Sequence, residues 1–125
     1  MKIILFSESP IIYHNGNYYA KDTWIYFPLY FSQLCELFTI MCTTKNINEI
    51  NFEEYSKLNI RNAKIKFISD YATFLEYYKK LLLNRILWIR LIEEEVDKHN
   101  IVWIRTPSPI MQLIFKSRCI SSKII

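Results

Sequence analysis

Glycine is almost absent from this chain of 125 residues, which contains only Gly16. Loops such as G-x-G-x-x-G and G-x-x-x-x-G-K-[ST] need several glycines so that backbone N–H groups can approach a phosphate closely. Neither pattern occurs in the sequence. The sequence therefore disfavours a dinucleotide-dependent oxidoreductase and a P-loop enzyme, and it predicts no cofactor.

Cysteine, histidine and long apolar runs are also scarce. The three cysteines and two histidines have no C-x-x-C pair and no metal-ligand spacing, so we predict no metal site. The longest apolar stretch, Leu81 to Ile92, is interrupted by Asn84, Arg85 and Arg90. It is shorter than the roughly 18 residues of a membrane span. With no visible secretory signal and unpaired cysteines, we expect a cytoplasmic protein.

Composition predicts one globular domain, because 51% of the residues are hydrophobic and 22% are charged. The net charge of +4 is spread along the chain and forms no concentrated basic patch. Nucleic-acid binding is therefore not expected. A surface that meets phosphates or anionic lipid head groups is equally compatible with this charge.

Apolar and amphipathic segments alternate along the chain. Strands are predicted at residues 2–7, 38–43, 63–68 and 101–105, and residues 8–22 are predicted to form a loop. Helices are predicted at 24–37, at 52–58, at 73–99 with a break near Asn84, and from Pro109. This order is typical of an α/β fold, a Rossmann-like parallel sheet of about four strands flanked by helices. We expect a single domain over residues 1–115 and a tail at 116–125, which fits no element.

The long predicted helix has two features. Its apolar face is expected to consist of Leu75, Tyr78, Leu82, Ile86, Ile89 and Val96. Basic residues lie beside this face at 79, 80, 85 and 90. They could form an interfacial membrane surface or simply a solvated helix edge.

Two predicted strands end in polar, proline-containing turns, Ser7-Glu-Ser-Pro10 and Arg105-Thr-Pro-Ser108. The carboxyl ends of parallel strands share one edge of a sheet, where ligands bind. Arg105 could pair with a phosphate or a carboxylate. Glu8 and His14 could bind a sugar hydroxyl or move a proton, or they could be solvated loop residues. Ser108 could bind a ligand or cap the next helix.

Residues 1–10, 15–24 and 101–108, in this order and spacing, resemble the N-terminal domain of bacterial two-domain GT-B glycosyltransferases similar to the glycosyltransferase 4 group. The resemblance implies a Rossmann-like half that forms the acceptor side of an interdomain cleft. It implies transfer of a sugar from a nucleotide sugar to a glycan or lipid-linked acceptor, in the setting of surface polysaccharide biosynthesis. The positions implied for acceptor binding are Ser7, Glu8, Ser9, His14, Gly16, Tyr18, Arg105, Thr106 and Ser108.

In that family the C-terminal half binds the nucleotide sugar and carries an E-x7-E pattern. No two glutamates of this chain have that spacing. We therefore expect a truncated enzyme that is inactive alone and binds a nucleotide sugar only if a second domain is supplied. No catalytic residue is predicted. Two alternatives stay open: an inert fragment, or a non-catalytic module that docks on a partner glycosyltransferase or on the inner membrane face through residues 79–92.

Overall fold

The computed structural model describes residues 1–7, 9–21, 25–46, 53–60 and 62–105. The elements in chain order are β1 (Lys2–Phe6), β2 (Ile11–His14), β3 (Asn17–Ala20), α1 (Tyr26–Ser32), β4 (Leu37–Lys45), β5 (Ser56–Lys57), β6 (Ala63–Tyr71), α2 (Phe74–Leu83), α3 (Arg85–Asp97) and β7 (Ile101–Ile104). The helix predicted from Pro109, the domain limit at 115 and the tail at 116–125 lie outside the described residues.

The centre of the fold is a parallel sheet of four strands in the order β6-β4-β1-β7. β1 and β4 are nearly continuous apolar runs, and both are buried inside the sheet. Such runs are typical of strands that are covered on both faces. β6 lies at an edge, where its alternating Lys64 and Lys66 reach solvent. The predicted α/β fold with a four-stranded parallel sheet and flanking helices is confirmed.

Alternate side chains of β1 point into two separate apolar layers. Ile4 and Phe6 belong to the layer formed with α2 and α3. Ile3 and Leu5 belong to the opposite layer, formed with α1 and the β2–β3 hairpin. This two-residue alternation is the ordinary consequence of strand geometry. The sheet is therefore covered on both faces, and its carboxyl edge is left for other contacts.

Residues 11–20 form a β-hairpin, so the prediction of a loop over 8–22 was wrong for this part. β2 and β3 pair antiparallel, and the two residues between them have positive φ angles, 49° at Asn15 and 80° at Gly16. A two-residue turn with both φ angles positive matches the right-handed twist of the strands, which is why Asn-Gly favours it. The sequence interpretation recognised the turn residues but not the strands on either side. β5 pairs with β3, where the predicted helix at 52–58 is also wrong for Ser56 and Lys57.

The first helix is shorter than predicted. α1 covers Tyr26–Ser32 and not residues 24–37, because β4 already begins at Leu37. Pro28 lies within the first turn, where its missing N–H costs no helical hydrogen bond. Leu34 continues the helical spacing in the sequence but is 71% exposed and makes no core contact that would extend the helix.

The long helical segment breaks at Asn84, as predicted, and separates α2 from α3. The predicted apolar face of this segment is largely wrong. Leu75, Leu82 and Ile86 are 80%, 76% and 71% exposed. Tyr77, Trp88 and Ile92 occupy the core instead. Of the predicted face, Val96 is buried and Ile89 packs against the core, as expected. The break interrupts the 3.6-residue period, so residues on its two sides do not share the face that a continuous helix would give them.

Candidate functional site

The direction in which the strands are added reverses at the centre of the sheet. After β1, the chain adds β4 and β6 on one side and then returns to add β7 on the other side. In open α/β sheets, ligands bind at the carboxyl ends of the strands next to such a reversal. Phe6 and Ile104 are register partners, and the backbone N–H of Arg105 donates to the Phe6 carbonyl at 3.5 Å. The structure therefore brings Ser7 and Arg105 together at this point.

Ser7 is held rigidly in the turn that follows β1. Its backbone N–H donates to the Met41 carbonyl at 3.1 Å, and its hydroxyl donates to the Ser9 carbonyl at 3.1 Å. The side chain is 1% exposed, so it orients the turn more than it offers itself to solvent. Thr43 lies on neighbouring β4, and its buried hydroxyl has no hydrogen-bond partner among the residues that the structure describes. A buried hydroxyl without a partner lowers stability, and Thr43 does not line the cavity at this edge.

A cavity of about 360 Å³ opens at the same edge, beside the carboxyl ends of β4 and β6. We call it the rim pocket. Small-molecule sites begin at about 300 Å³, so the rim pocket is large enough for a sugar phosphate. Its walls combine two lysines with aromatic rings: Ser9, Pro10, Lys21, Lys45, Tyr55, Tyr71 and Phe74.

The charge of the rim pocket is positive. Lys45 is half-buried, and within the described part of the chain it forms no ion pair. The Lys21 ammonium is 3.7 Å from a Glu54 carboxylate oxygen, and both side chains are largely exposed. Exposed pairs of this kind contribute little and exchange readily. The rim pocket therefore favours a negatively charged ligand, such as a phosphate.

The aromatic wall of the rim pocket is fixed by the corner between β6 and α2. Lys45 and Tyr71 are register partners, and the Asn46 N–H donates to the Tyr71 carbonyl at 2.8 Å. The rings of Tyr71 and Phe74 have centroids 6.3 Å apart. Phe74 is largely exposed, so its ring can stack against a ligand.

An ionic cluster holds the same corner. The Lys80 ammonium donates to both the backbone carbonyl and the carboxylate of Asp70, each at 2.8 Å. It also lies 3.1 Å from a Glu76 carboxylate oxygen. The hydrogen bond from Lys80 is the main cause that holds the pKa of Asp70 below its usual range. The three charged side chains do not line the rim pocket, but they join the end of β6 to α2 and so hold Tyr71 and Phe74 in position.

Of the predicted site residues that the structure describes, Ser9 lines the rim pocket, whereas Ser7, Arg105 and the three residues of the hairpin do not. His14 and Gly16 lie at the Asn-Gly turn, whereas Ser9 and Lys21 flank the open end of the hairpin. A four-residue strand separates the two ends by about 13 Å. The Tyr18 ring contacts the rings of Tyr13 and Phe67 in tilted arrangements, with centroid distances of 5.0 and 6.2 Å. The predicted residues Glu8, Thr106 and Ser108 lie outside the described residues.

Sequence reasoning missed the residues that β4 and β6 contribute to the rim pocket. Lys45 follows the predicted strand 38–43 by two residues, and Tyr71 follows the predicted strand 63–68 by three. Among the strand ends, ligand contacts were predicted only at the carboxyl ends of the first and fourth predicted strands. The same search at the ends of the second and third strands would have found both residues. Lys21 and Tyr55 gave no such signal, because the hairpin and β5 that bring them here were not predicted.

A second cavity, of about 370 Å³, lies beside β7 on the α1 side of the sheet. Phe27 and Phe31 of α1 meet the Trp103 ring edge-on, with each centroid distance 6.2 Å. Side chains of Met1, Ile3, Ile101 and Ile104 complete the walls. Because these side chains are apolar, the cavity lacks the polar groups that would orient a substrate.

His99 is buried, and it lies at the amino edge of the sheet, away from the rim pocket. Its Nδ1 meets the Glu95 carbonyl, which can only accept, so Nδ1 carries the proton. In the neutral ring Nε2 then accepts from the Thr39 hydroxyl at 2.8 Å. Both ring nitrogens are engaged, and the side chain ties α3 to β4.

No protein-family model matches this sequence, and no similar curated protein or solved structure was found. Among the described residues, no three His, Cys, Asp or Glu side chains are grouped so that they could hold a metal ion. Within the same residues, no helix has the length and apolar character needed to cross a bilayer.

Proposed function

We propose that this chain is the Rossmann-like, acceptor-binding half of a GT-B glycosyltransferase that works in the cytoplasm at the membrane face. The strand order supports the proposal. The order β6-β4-β1-β7 is the one expected for the first four strands of a Rossmann sheet. In the proposed enzyme, a second domain supplies the nucleotide sugar. This chain contributes the surface that holds the glycan or lipid-linked acceptor.

The observation that carries the proposal is the rim pocket. It lies at the carboxyl edge of the sheet, it is positively charged and it has an aromatic wall. Sugars stack on aromatic rings, and a phosphate pairs with lysine or arginine. Lys45 and Lys21 would bind the phosphate of a phosphorylated acceptor, and Phe74 would cover its sugar ring. These are binding and orienting roles, and the proposal assigns no catalytic base.

Isothermal titration of the full chain with glucose 1-phosphate tests this role. We expect binding that glucose alone does not reproduce, since the phosphate provides the charge-assisted contacts. Lys45→Gln should weaken the affinity by about tenfold or more, because a hydrogen bond to a charged group contributes about 1.5–3 kcal/mol. Lys57→Gln is the matched control, since Lys57 is an exposed lysine on β5 that does not line the rim pocket.

Two results would count against the proposal. Glucose 1-phosphate could fail to bind, or it could bind the Lys45→Gln and Lys57→Gln variants equally well. Equal loss in both variants would indicate a general charge effect and no defined site.

A non-catalytic interaction module is the second candidate, and the exposed apolar side chains of α2 and α3 favour it. A module of that kind would bind its partner without using the rim pocket. Lys45→Gln would then leave partner binding unchanged, whereas substitutions on α2 would abolish it.

A further inference from the structure

The outward side of α2 and the first turn of α3 is strongly apolar. Its large side chains are between 56% and 80% exposed, apart from Tyr78 at 50%. We call this the α2–α3 surface, and it consists of Leu75, Tyr78, Leu82, Leu83, Ile86 and Leu87. On α2 the spacing of residues 75, 78 and 82 places their side chains on one face of the helix.

These side chains cannot be buried by a small shift of the two helices. The inward side of α2 and α3 is already filled by Tyr77, Trp88 and Ile92, which pack against β1 and β4. Rotating the helices to cover the outward side would expose those core residues. The α2–α3 surface therefore has no place in the core, and exposed apolar patches of this kind mark sites of interaction.

The charges around the α2–α3 surface are positive. Lys79, Arg85 and Arg90 are exposed, and none of them forms an ion pair with a described residue. Between residues 74 and 92 the sequence has one acidic residue, Glu76. Its carboxylate is already paired with Lys80. The glutamates of α3 begin only at Glu93, beyond the apolar part.

We propose that the α2–α3 surface docks the protein on an anionic lipid bilayer. An interfacial helix inserts apolar side chains into the boundary between head groups and acyl chains, and its flanking cations meet the anionic head groups. A symmetric contact with a second copy is disfavoured, because it would bring Lys79, Arg85 and Arg90 close to their own counterparts. The docking inference deepens the membrane-face location of the proposed function by naming the surface responsible, and it does not depend on the acceptor role of the rim pocket.

The position of Phe74 connects the docked surface with the rim pocket. Phe74 is the first residue of α2, directly before the α2–α3 surface, and its ring also lines the rim pocket. A bilayer on this surface would lie next to the pocket opening. If the proposed function holds, the acceptor class is then a lipid-linked sugar phosphate, presented to the pocket from the membrane.

Vesicle co-sedimentation of the full chain tests the docking. Vesicles of phosphatidylcholine with about one-third phosphatidylglycerol provide the anionic surface, and pure phosphatidylcholine vesicles provide the comparison. We expect binding to the anionic vesicles that falls as salt is raised. Arg90→Gln should weaken it about fivefold, the effect of one cation near the surface. Leu82→Gln should weaken it about tenfold by removing one inserted side chain.

Leu34→Gln is the matched control for Leu82→Gln, because Leu34 is similarly exposed but follows α1, on the other face of the sheet. It should leave vesicle binding unchanged. Absence of binding to anionic vesicles, or equal binding by the Leu82→Gln and wild-type chains, would overturn the inference. A dimer in sedimentation velocity that Leu82→Gln converts to a monomer would also overturn it, in favour of a second copy.

The two proposals can fail separately. Leu82→Gln should retain affinity for glucose 1-phosphate, and Lys45→Gln should retain vesicle binding. Vesicle binding without sugar phosphate binding would leave the docking surface intact and reject the acceptor role of the rim pocket.

Discussion

Trp88 should be the residue of α3 whose truncation costs most stability. Its side chain is 2% exposed, and its ring lies 6.1 Å, centroid to centroid, from that of Tyr77 on α2. Trp88→Ala removes the whole indole from a core layer that also contains Ile4 and Met41. Truncations of this kind cost about 3–5 kcal/mol, because the lost burial adds to the cost of the cavity.

Leu82→Ala is the matched comparison, since Leu82 is 76% exposed and leucine and alanine are both good helix formers. We expect it to change the free energy of unfolding by less than about 0.5 kcal/mol. Urea unfolding followed by circular dichroism measures both variants. With a slope of about 2 kcal/mol per molar urea, Trp88→Ala should lower the midpoint by about 2 M, and Leu82→Ala by less than about 0.25 M.

The comparison decides which face of α2 and α3 packs on the sheet. Equal losses in the two variants, or a larger loss for Leu82→Ala, would mean that the continuous face predicted from the sequence is the buried one. The α2–α3 surface would then not exist as an exposed apolar surface. The membrane inference would fail with it.

Further predictions concern local structure and ionisation. Thr73→Ala should lower the free energy of unfolding by about 1 kcal/mol, because the Thr73 hydroxyl caps α2. Thr73→Ser should retain most of the stability that the cap provides. Equal urea midpoints for the wild-type chain and both variants would refute the cap. Gly16→Ala should cost about 1–2 kcal/mol from backbone strain alone, since no atom lies within 4 Å of the added Cβ, and an unchanged midpoint would contradict this. Because the Asp70 pKa is lowered in the folded chain, its contribution to stability is present above the unfolded pKa of about 4 and is lost as pH falls through the folded value. Lys80→Gln should raise the Asp70 pKa in an NMR titration, and no change would rule out the pairing. Burial raises the pKa of Cys42 to about 12, so mass spectrometry should find this thiol unmodified by iodoacetamide in the native chain and alkylated after unfolding.

The sheet could be predicted from the sequence because its strands are strongly apolar over their whole length. A run such as residues 2–7 has few alternatives to a strand that is buried on both faces. The lysine alternation at 63–68 also placed β6 correctly at an edge. The hydrophobicity of these segments determines that they form strands, and it can be read directly from a single sequence.

The hairpin and the helix face could not be predicted in the same way. The strands of the hairpin are short, and their residues satisfy a loop pattern as easily as a strand until Asn15 and Gly16 are recognised as a two-residue turn. For α2 and α3, the sequence offers more apolar residues than one core can bury. Which of them are inside depends on the break at Asn84 and on the space that Trp88 fills, and these are tertiary properties.

Of the residues predicted to bind the acceptor, Ser9 lines the rim pocket, and Ser7 and Arg105 lie at the adjoining ends of β1 and β7. Their acceptor-binding role stays a prediction. Lys45 and Tyr71 could have been predicted by applying the strand-end rule to the second and third predicted strands as well. Lys21 arrives at the rim pocket only through the hairpin, and so a local pattern could not reveal it.

The most direct test of the central claim is the amide NMR spectrum of the full, isotopically labelled chain titrated with glucose 1-phosphate. The account predicts chemical-shift changes that concentrate at Ser9, Lys21, Lys45 and Tyr71, which line the rim pocket, with little change at the His14 turn. Changes confined to the amino edge around His99, or no saturable changes at all, would contradict the assignment of the rim as a binding site.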